Sequence, residues 1–142
     1  MTLGELKKAF PTHGRFVLRL DDALRKTVRE AHVPNEYGVY LVYAGPRCAE
    51  YPIYIGKSGT MKQDGSWKTQ GLAGRLIARQ GKVSRPEFFQ NVIRERGYQA
   101  LSFLWFVTHD GERGLLPCLV EAQLLQRFYE RRRRLPLLNE AC

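Results

Sequence analysis

The sequence predicts a small α+β fold, in which a mostly antiparallel sheet is flanked by helices. Three observations predict it. Two short runs rich in tyrosine and aliphatic residues, GVYLVY at 38–43 and YPIYIG at 51–56, are separated by one brief loop, the pattern of an antiparallel hairpin. A third run, LSFLWFVTH at 101–109, has the length and apolarity of a buried central strand. The segments around these runs show helix signals rather than strand signals. At 142 residues the chain is expected to form one domain.

Taken in order, RFVLRL at 15–20 reads as a short strand and DDALRKTVREAH at 21–32 as a helix. Asp21 or Asp22 is the expected cap, Leu24 and Val28 share a face, and Pro34 ends the segment. Residues 1–35 are therefore expected to be an N-terminal helical extension packed on a core formed by 36–142. In the hairpin, period-2 alternation puts Tyr40 and Tyr54 on one face if they lie opposite each other or two residues apart. Val39, Leu41, Ile53 and Ile55 then line the other. Residues 57–70, KSGTMKQDGSWKTQ, form a long polar loop, a feature that is often functional in compact domains. LAGRLIARQ at 72–80 reads as a short helix that Gly81 could end. PEFFQNVIRERG at 86–97 is a further helix, with Pro86 in its first turn and Gly97 after its end. PCLVEAQLLQRFYERRRR at 117–134 is the last helix, starting at Pro117.

Charge and cysteine content narrow the class. The formal charge is +9, which favours a polyanionic partner such as nucleic acid. Cys48, Cys118 and Cys142 are odd in number and form no CxxC pair. That speaks against a disulfide framework or a zinc site and for a reducing, cytoplasmic location. No apolar run has the length of a membrane span, and the N-terminus lacks a signal-peptide core. His13, His32 and His109 are not at metal-ligand spacing.

Two charged residues stand where packing favours apolar ones. Glu121 borders the face of the last helix that carries Leu124, Leu125 and Phe128. A carboxylate held there needs a cation or a metal. Arg75 lies beside Leu72 and Leu76 on the short helix. An Arg75–Glu121 structural ion pair is one reading, and a catalytic site is the other.

GVY at 38–40, YIGK at 54–57, GLAGRL around Arg75, VEAQLL around Glu121 and LPLLN ending at Asn139 occur in this order. Together they resemble the GIY-YIG nuclease superfamily over about residues 36–139. The resemblance implies a three-stranded antiparallel sheet with helices around it, and metal-dependent hydrolysis of a phosphodiester bond. It implies Glu121 as the ligand of a single Mg²⁺ or Mn²⁺ and Arg75 as the phosphate clamp. Tyr40 or Tyr54 would activate the attacking water, Tyr40 being favoured, with Lys57 assisting and Asn139 orienting the site. Arg79 stands where the family often has Tyr or His. Its guanidinium can bind phosphate but cannot act as a base.

Lys62, Trp67, Lys68, Arg79 and Lys82 are the expected nucleic-acid contacts, with Trp67 offered between two cations as a base-stacking ring. Trp67 packing onto the following helix is an equal alternative. The expected function is thus that of a metal-dependent endonuclease acting on DNA, with specificity from a homodimer or a partner protein. A non-catalytic nucleic-acid-binding module on the same fold is the alternative.

Overall fold

The computed structural model describes residues 2–80 and 83–142, with Arg79 and Gln80 described in backbone only. The elements in chain order are α1 (Leu3–Ala9), β1 (His13–Arg19), α2 (Leu24–Glu30), β2 (Tyr37–Ala44), β3 (Tyr54–Ser58), α3 (Leu72–Ile77), β4 (Arg79–Gln80), β5 (Val83–Ser84), α4 (Arg85–Arg96), β6 (Ala100–His109) and α5 (Pro117–Arg132). The fold is α+β. Its main sheet has four antiparallel strands in the order β1-β6-β2-β3, and β4 and β5 form a separate two-stranded ribbon.

The three-stranded sheet expected from the resemblance is therefore corrected to four strands. The added strand comes from the N-terminal extension. β1 pairs along its whole length with β6, from His13 opposite Phe106 to Arg19 opposite Ala100. This makes β6 an internal strand, and nine of its ten residues are buried. The extension is also not purely helical, because β1 lies between α1 and α2. Neither Asp21 nor Asp22 caps α2, which begins after Ala23 without a side-chain cap. Asp21 adopts φ 68°, and the Asp22 carboxylate accepts from the Arg19 backbone N–H instead.

Strand alternation separates two apolar layers. Tyr40, Val42, Phe103 and Trp105 face α2, α3 and α4, and meet Leu24, Val28, Leu72, Leu76 and Phe89. Val39, Leu41, Ile55, Leu104 and Phe106 face α1 and α5, and meet Leu6, Val120, Leu124 and Leu125. Ile53, expected on this second face, precedes β3 and packs instead on the Tyr40 side. α4 has a sequence-encoded start and stop. The Ser84 hydroxyl accepts from the Glu87 N–H at 3.3 Å, and Gly97 ends the helix in the left-handed region. No described helix is long and apolar enough to cross a membrane.

Gly38 is required by close approach. A Cβ there would lie 1.8 Å from the Phe106 carbonyl oxygen, a backbone atom of the neighbouring strand. Gly38→Ala is expected to lose about 3 kcal/mol or more, read by urea unfolding. Gly4→Ala in α1, where an added methyl meets only Thr2 Oγ1 at 3.8 Å, should gain up to about 1 kcal/mol. Equal behaviour of the two variants would contradict the packing argument.

Candidate active site

The site forms around β3, one of the two edge strands of the sheet. Tyr40 pairs with Gly56, and Val42 with Tyr54, so the two tyrosines are two residues out of register and share a face. Their rings are 5.9 Å apart and inclined at 43°. They pass over Gly56, where a Cβ would lie 2.5 Å from Tyr40 Cζ and 2.8 Å from Tyr54 Cε1. The glycine between them is what lets the rings meet.

Lys57 follows Gly56, so alternation sends it to the opposite face, toward α5. Its ammonium donates to Thr60 Oγ1 at 3.3 Å. Glu121 lies on α5, on that same side of the sheet. Arg75 lies on α3, on the tyrosine side. α3 has no side-chain N-cap. Instead, residues 34–36 satisfy its first turn: Glu36 O accepts from Leu72 N, Pro34 O from Ala73 N, and Asn35 Oδ1 from Gly74 N. This clamp fixes the short helix, and Arg75 with it.

The two sides meet in a cleft of about 180 Å³ that wraps the edge of β3. Tyr54, Lys57, Thr60, Arg75, Arg85 and Glu121 line it. A larger recess of about 590 Å³ between α2 and α3 has no carboxylate in its lining. Arg75 and Glu121 form no direct ion pair, and the Glu121 carboxylate accepts no hydrogen bond from the described residues. The structural ion pair, the bland reading of these residues, is therefore absent. Burial pushes the Glu121 carboxyl above the usual carboxylate range, and Lys57 and then Arg75 oppose this in part.

The expected site residues divide into several groups. Tyr54, Lys57, Arg75 and Glu121 line the cleft directly. Tyr40 lies behind it and is fully buried. Burial, followed by the neighbouring Tyr54, pushes the Tyr40 phenol far above its ordinary value, against the lowering influence of Arg85 and Arg75. Tyr40 thus holds its proton, and Tyr54 is the tyrosine that reaches the cleft. Asn139 lies outside the cleft and grips the free edge of β3. Its Nδ2 donates to Ile55 O at 2.9 Å, and its Oδ1 accepts from Ile55 N at 3.0 Å.

The expected nucleic-acid contacts are less gathered. Lys62 and Lys68 are exposed in the β3–α3 loop. The Trp67 ring is stacked on Tyr37, with centroids 3.8 Å apart, and its Nε1 donates to Gly111 O. That face is used to anchor the loop rather than offered to a base. The His109 ring meets Trp67 edge-on, with centroids 4.9 Å apart. Arg79 has left the helix that carries Arg75 and belongs to β4, so the helical i, i+4 relation read from the sequence does not hold. Lys82, like Gly81, lies outside the described residues.

Arg85 is not singled out from the other basic residues by the sequence. It is 1% exposed, and its Nη1 donates to the Tyr40 hydroxyl at 2.9 Å. In the sequence it is one arginine among many, at the start of a helix. Only the return of the chain through the β4–β5 ribbon, closed by Arg85 N–H donating to Ala78 O at 2.9 Å, brings it into the site.

A carboxyl whose pKa is raised in the folded protein favours folding fully only below its unfolded value of about 4.3, and loses that contribution as pH rises through the folded value. Glu121→Gln is therefore expected to be more stable than wild type at pH 7. The gap should close as pH falls below about 4. Thermal unfolding across this pH range checks it, and a Glu121→Gln protein less stable at pH 7 would show instead that the nearby cations outweigh desolvation.

No family model, curated protein or solved structure matches the chain.

Proposed function

We propose that the chain is a GIY-YIG-type endonuclease that hydrolyses phosphodiester bonds in DNA, with Mg²⁺ or Mn²⁺ held by Glu121. The observation that carries this reading is the cleft itself. A partly desolvated carboxylate with no ion-pair partner among the described residues faces Lys57, Arg75 and a phenol across the cleft. A binding surface for polyanions has no use for that carboxylate. A structural ion network would have closed on it.

The donor set fits a hard divalent ion. Glu121 supplies one carboxylate, and water and phosphate oxygens would complete the shell. Such an ion stabilises charge on the phosphate and lowers the pKa of bound water. The chain's own residues do the rest. Arg75 binds the reacting phosphate and stabilises the charge that develops on its oxygens, the role for which a planar fork of donors is suited. Lys57 adds a point charge from the opposite side of β3. Tyr54 hydrogen-bonds the attacking water and orients it toward phosphorus. Asn139 holds the strand that carries Tyr54 and Lys57. Tyr40 keeps its proton and supports Tyr54 from below.

The exposed cations of the β3–α3 loop and the net charge of +9 would attract the rest of the polyanion. Their share of affinity should fall steeply with salt. Specificity would come from a homodimer or a partner protein.

Supercoiled plasmid incubated with Mg²⁺ or Mn²⁺ is expected to be nicked or linearised. EDTA should stop the reaction, and Glu121→Ala should lose at least about 100-fold in rate, as expected when a charge-stabilising group is removed. Metal-independent cleavage, or full activity of Glu121→Ala, overturns the proposal. Salt-sensitive DNA binding without cleavage, equal in the two proteins, would favour the non-catalytic binding module.

A further inference from the structure

We propose that Arg85 is a second phosphate-binding guanidinium of this cleft, acting with Arg75 on the reacting phosphate. This rests on the nuclease reading above and extends it to a residue outside the resemblance.

The starting point is an unbalanced charge. Arg85 is 1% exposed, and arginine stays protonated under all ordinary conditions. Buried charges are normally paired with an opposite charge. Among the described residues no carboxylate forms an ion pair with Arg85. Its Nη1 donates to the neutral Tyr40 hydroxyl, and its Nε has no acceptor among the described residues. The guanidinium is thus closed to bulk water with part of its donor fork unused.

What it does face is the cleft. Arg85 lines the same 180 Å³ space as Tyr54, Lys57, Arg75 and Glu121. An anion filling that space meets Arg75 from α3 and Arg85 from the first turn of α4. Phosphate suits this arrangement, because its several oxygens can accept from two planar forks at once. A purely structural cation would be served by a carboxylate partner, and the one nearby, Glu121, is left unpaired as well. Among the described residues neither forms an ion pair: the arginine has no carboxylate on it, and the glutamate has Lys57 and Arg75 nearby but is bonded to neither. A phosphate with its divalent ion supplies an anion to the one and a cation to the other.

The contact with Tyr40 adds a link to the tyrosine pair. The hydrogen bond holds the Tyr40 ring in place beneath Tyr54. A phosphate bound to Arg85 is therefore positioned against the phenol that orients the water.

The test uses the intact protein and a short DNA duplex. Binding is followed by fluorescence anisotropy in EDTA at several salt concentrations, and cleavage by single-turnover rates with Mg²⁺. Arg85→Gln is expected to reduce the slope of log affinity against log salt by about 0.9, the value of one phosphate contact, and to cleave at least about 100-fold more slowly. Arg85→Lys keeps the charge in a more conservative form and covers the case in which the Gln variant does not fold. It should keep the salt slope but cleave at least tenfold more slowly, since lysine cannot bridge Tyr40 and phosphate with one fork. An unchanged slope in Arg85→Gln, or wild-type cleavage by Arg85→Lys, overturns the role of Arg85. If wild type cleaves and these results follow, the nuclease reading stands and only Arg85 is reassigned. If wild type binds duplex without cleaving and Arg85→Gln still loses the phosphate contact, the assignment of Arg85 holds while the nuclease reading fails. Absence of any duplex binding by wild type overturns both.

Discussion

The packing of Tyr40 across Gly56 is the constraint on which the site depends. It occurs at the centre of the fold, because β2 is hydrogen-bonded on both sides and every residue from Gly38 to Tyr43 is buried. With no side chain at Gly56, the Tyr40 ring can cross toward β3 and reach Tyr54. Its hydroxyl then needs a partner, since a buried phenol left unpaired is unfavourable. Arg85 supplies it. One close approach thus fixes the relative positions of β3, the tyrosine pair and the start of α4.

The same interaction explains why the two tyrosines are not equivalent. Both belong to strands and both sit on one face, but only Tyr54 is on the edge strand. Tyr40 is covered by the layer of α3 and α4 and is held against ionisation by burial. A tyrosine that keeps its proton can still donate and accept hydrogen bonds, so it can position a neighbour without acting as a base. The division of labour follows from strand order rather than from residue type, and the sequence contains the two motifs without stating that order.

Much of the fold was legible because its signals are local. Alternation in β2 placed Tyr40 and Tyr54 together, and Pro86 and Gly97 marked the ends of α4. The failures have a common cause, which is tertiary pairing. RFVLRL read as a strand, but nothing within it says that it pairs with β6 rather than lying outside the sheet. Ile53 looked like the next member of an alternating set, yet the strand proper begins one residue later. Arg79 read as part of a helix. Gly74 weakens that helix, which ends at Ile77, and the following residues pair as β4 with β5. Arg85 could not be singled out because burial is a property of what surrounds a residue. The aromatic loop residue Trp67 was ambiguous for the same reason. Its partner, Tyr37, lies thirty positions away and joins it only after β2 and the loop are in place.

Edge strands expose unpaired backbone groups and are commonly blocked or covered. Here the outer edge of β3 is treated in two ways. At Ile55 it is closed by the C-terminal segment, through both arms of the Asn139 amide, and Leu138 N–H bonds Ile53 O just before it. Further along, at Lys57, the cleft opens instead. This open part separates opposite charges. Arg75 and Arg85 belong to the helical layer on one face of the sheet, whereas Glu121 belongs to α5 on the other. The guanidinium groups and the carboxylate thus approach the cleft from opposite faces of the sheet, and no ion pair joins them. The result, a partly desolvated carboxylate facing cations that no described carboxylate pairs, is the state in which a phosphate and a divalent ion would each find a complementary partner.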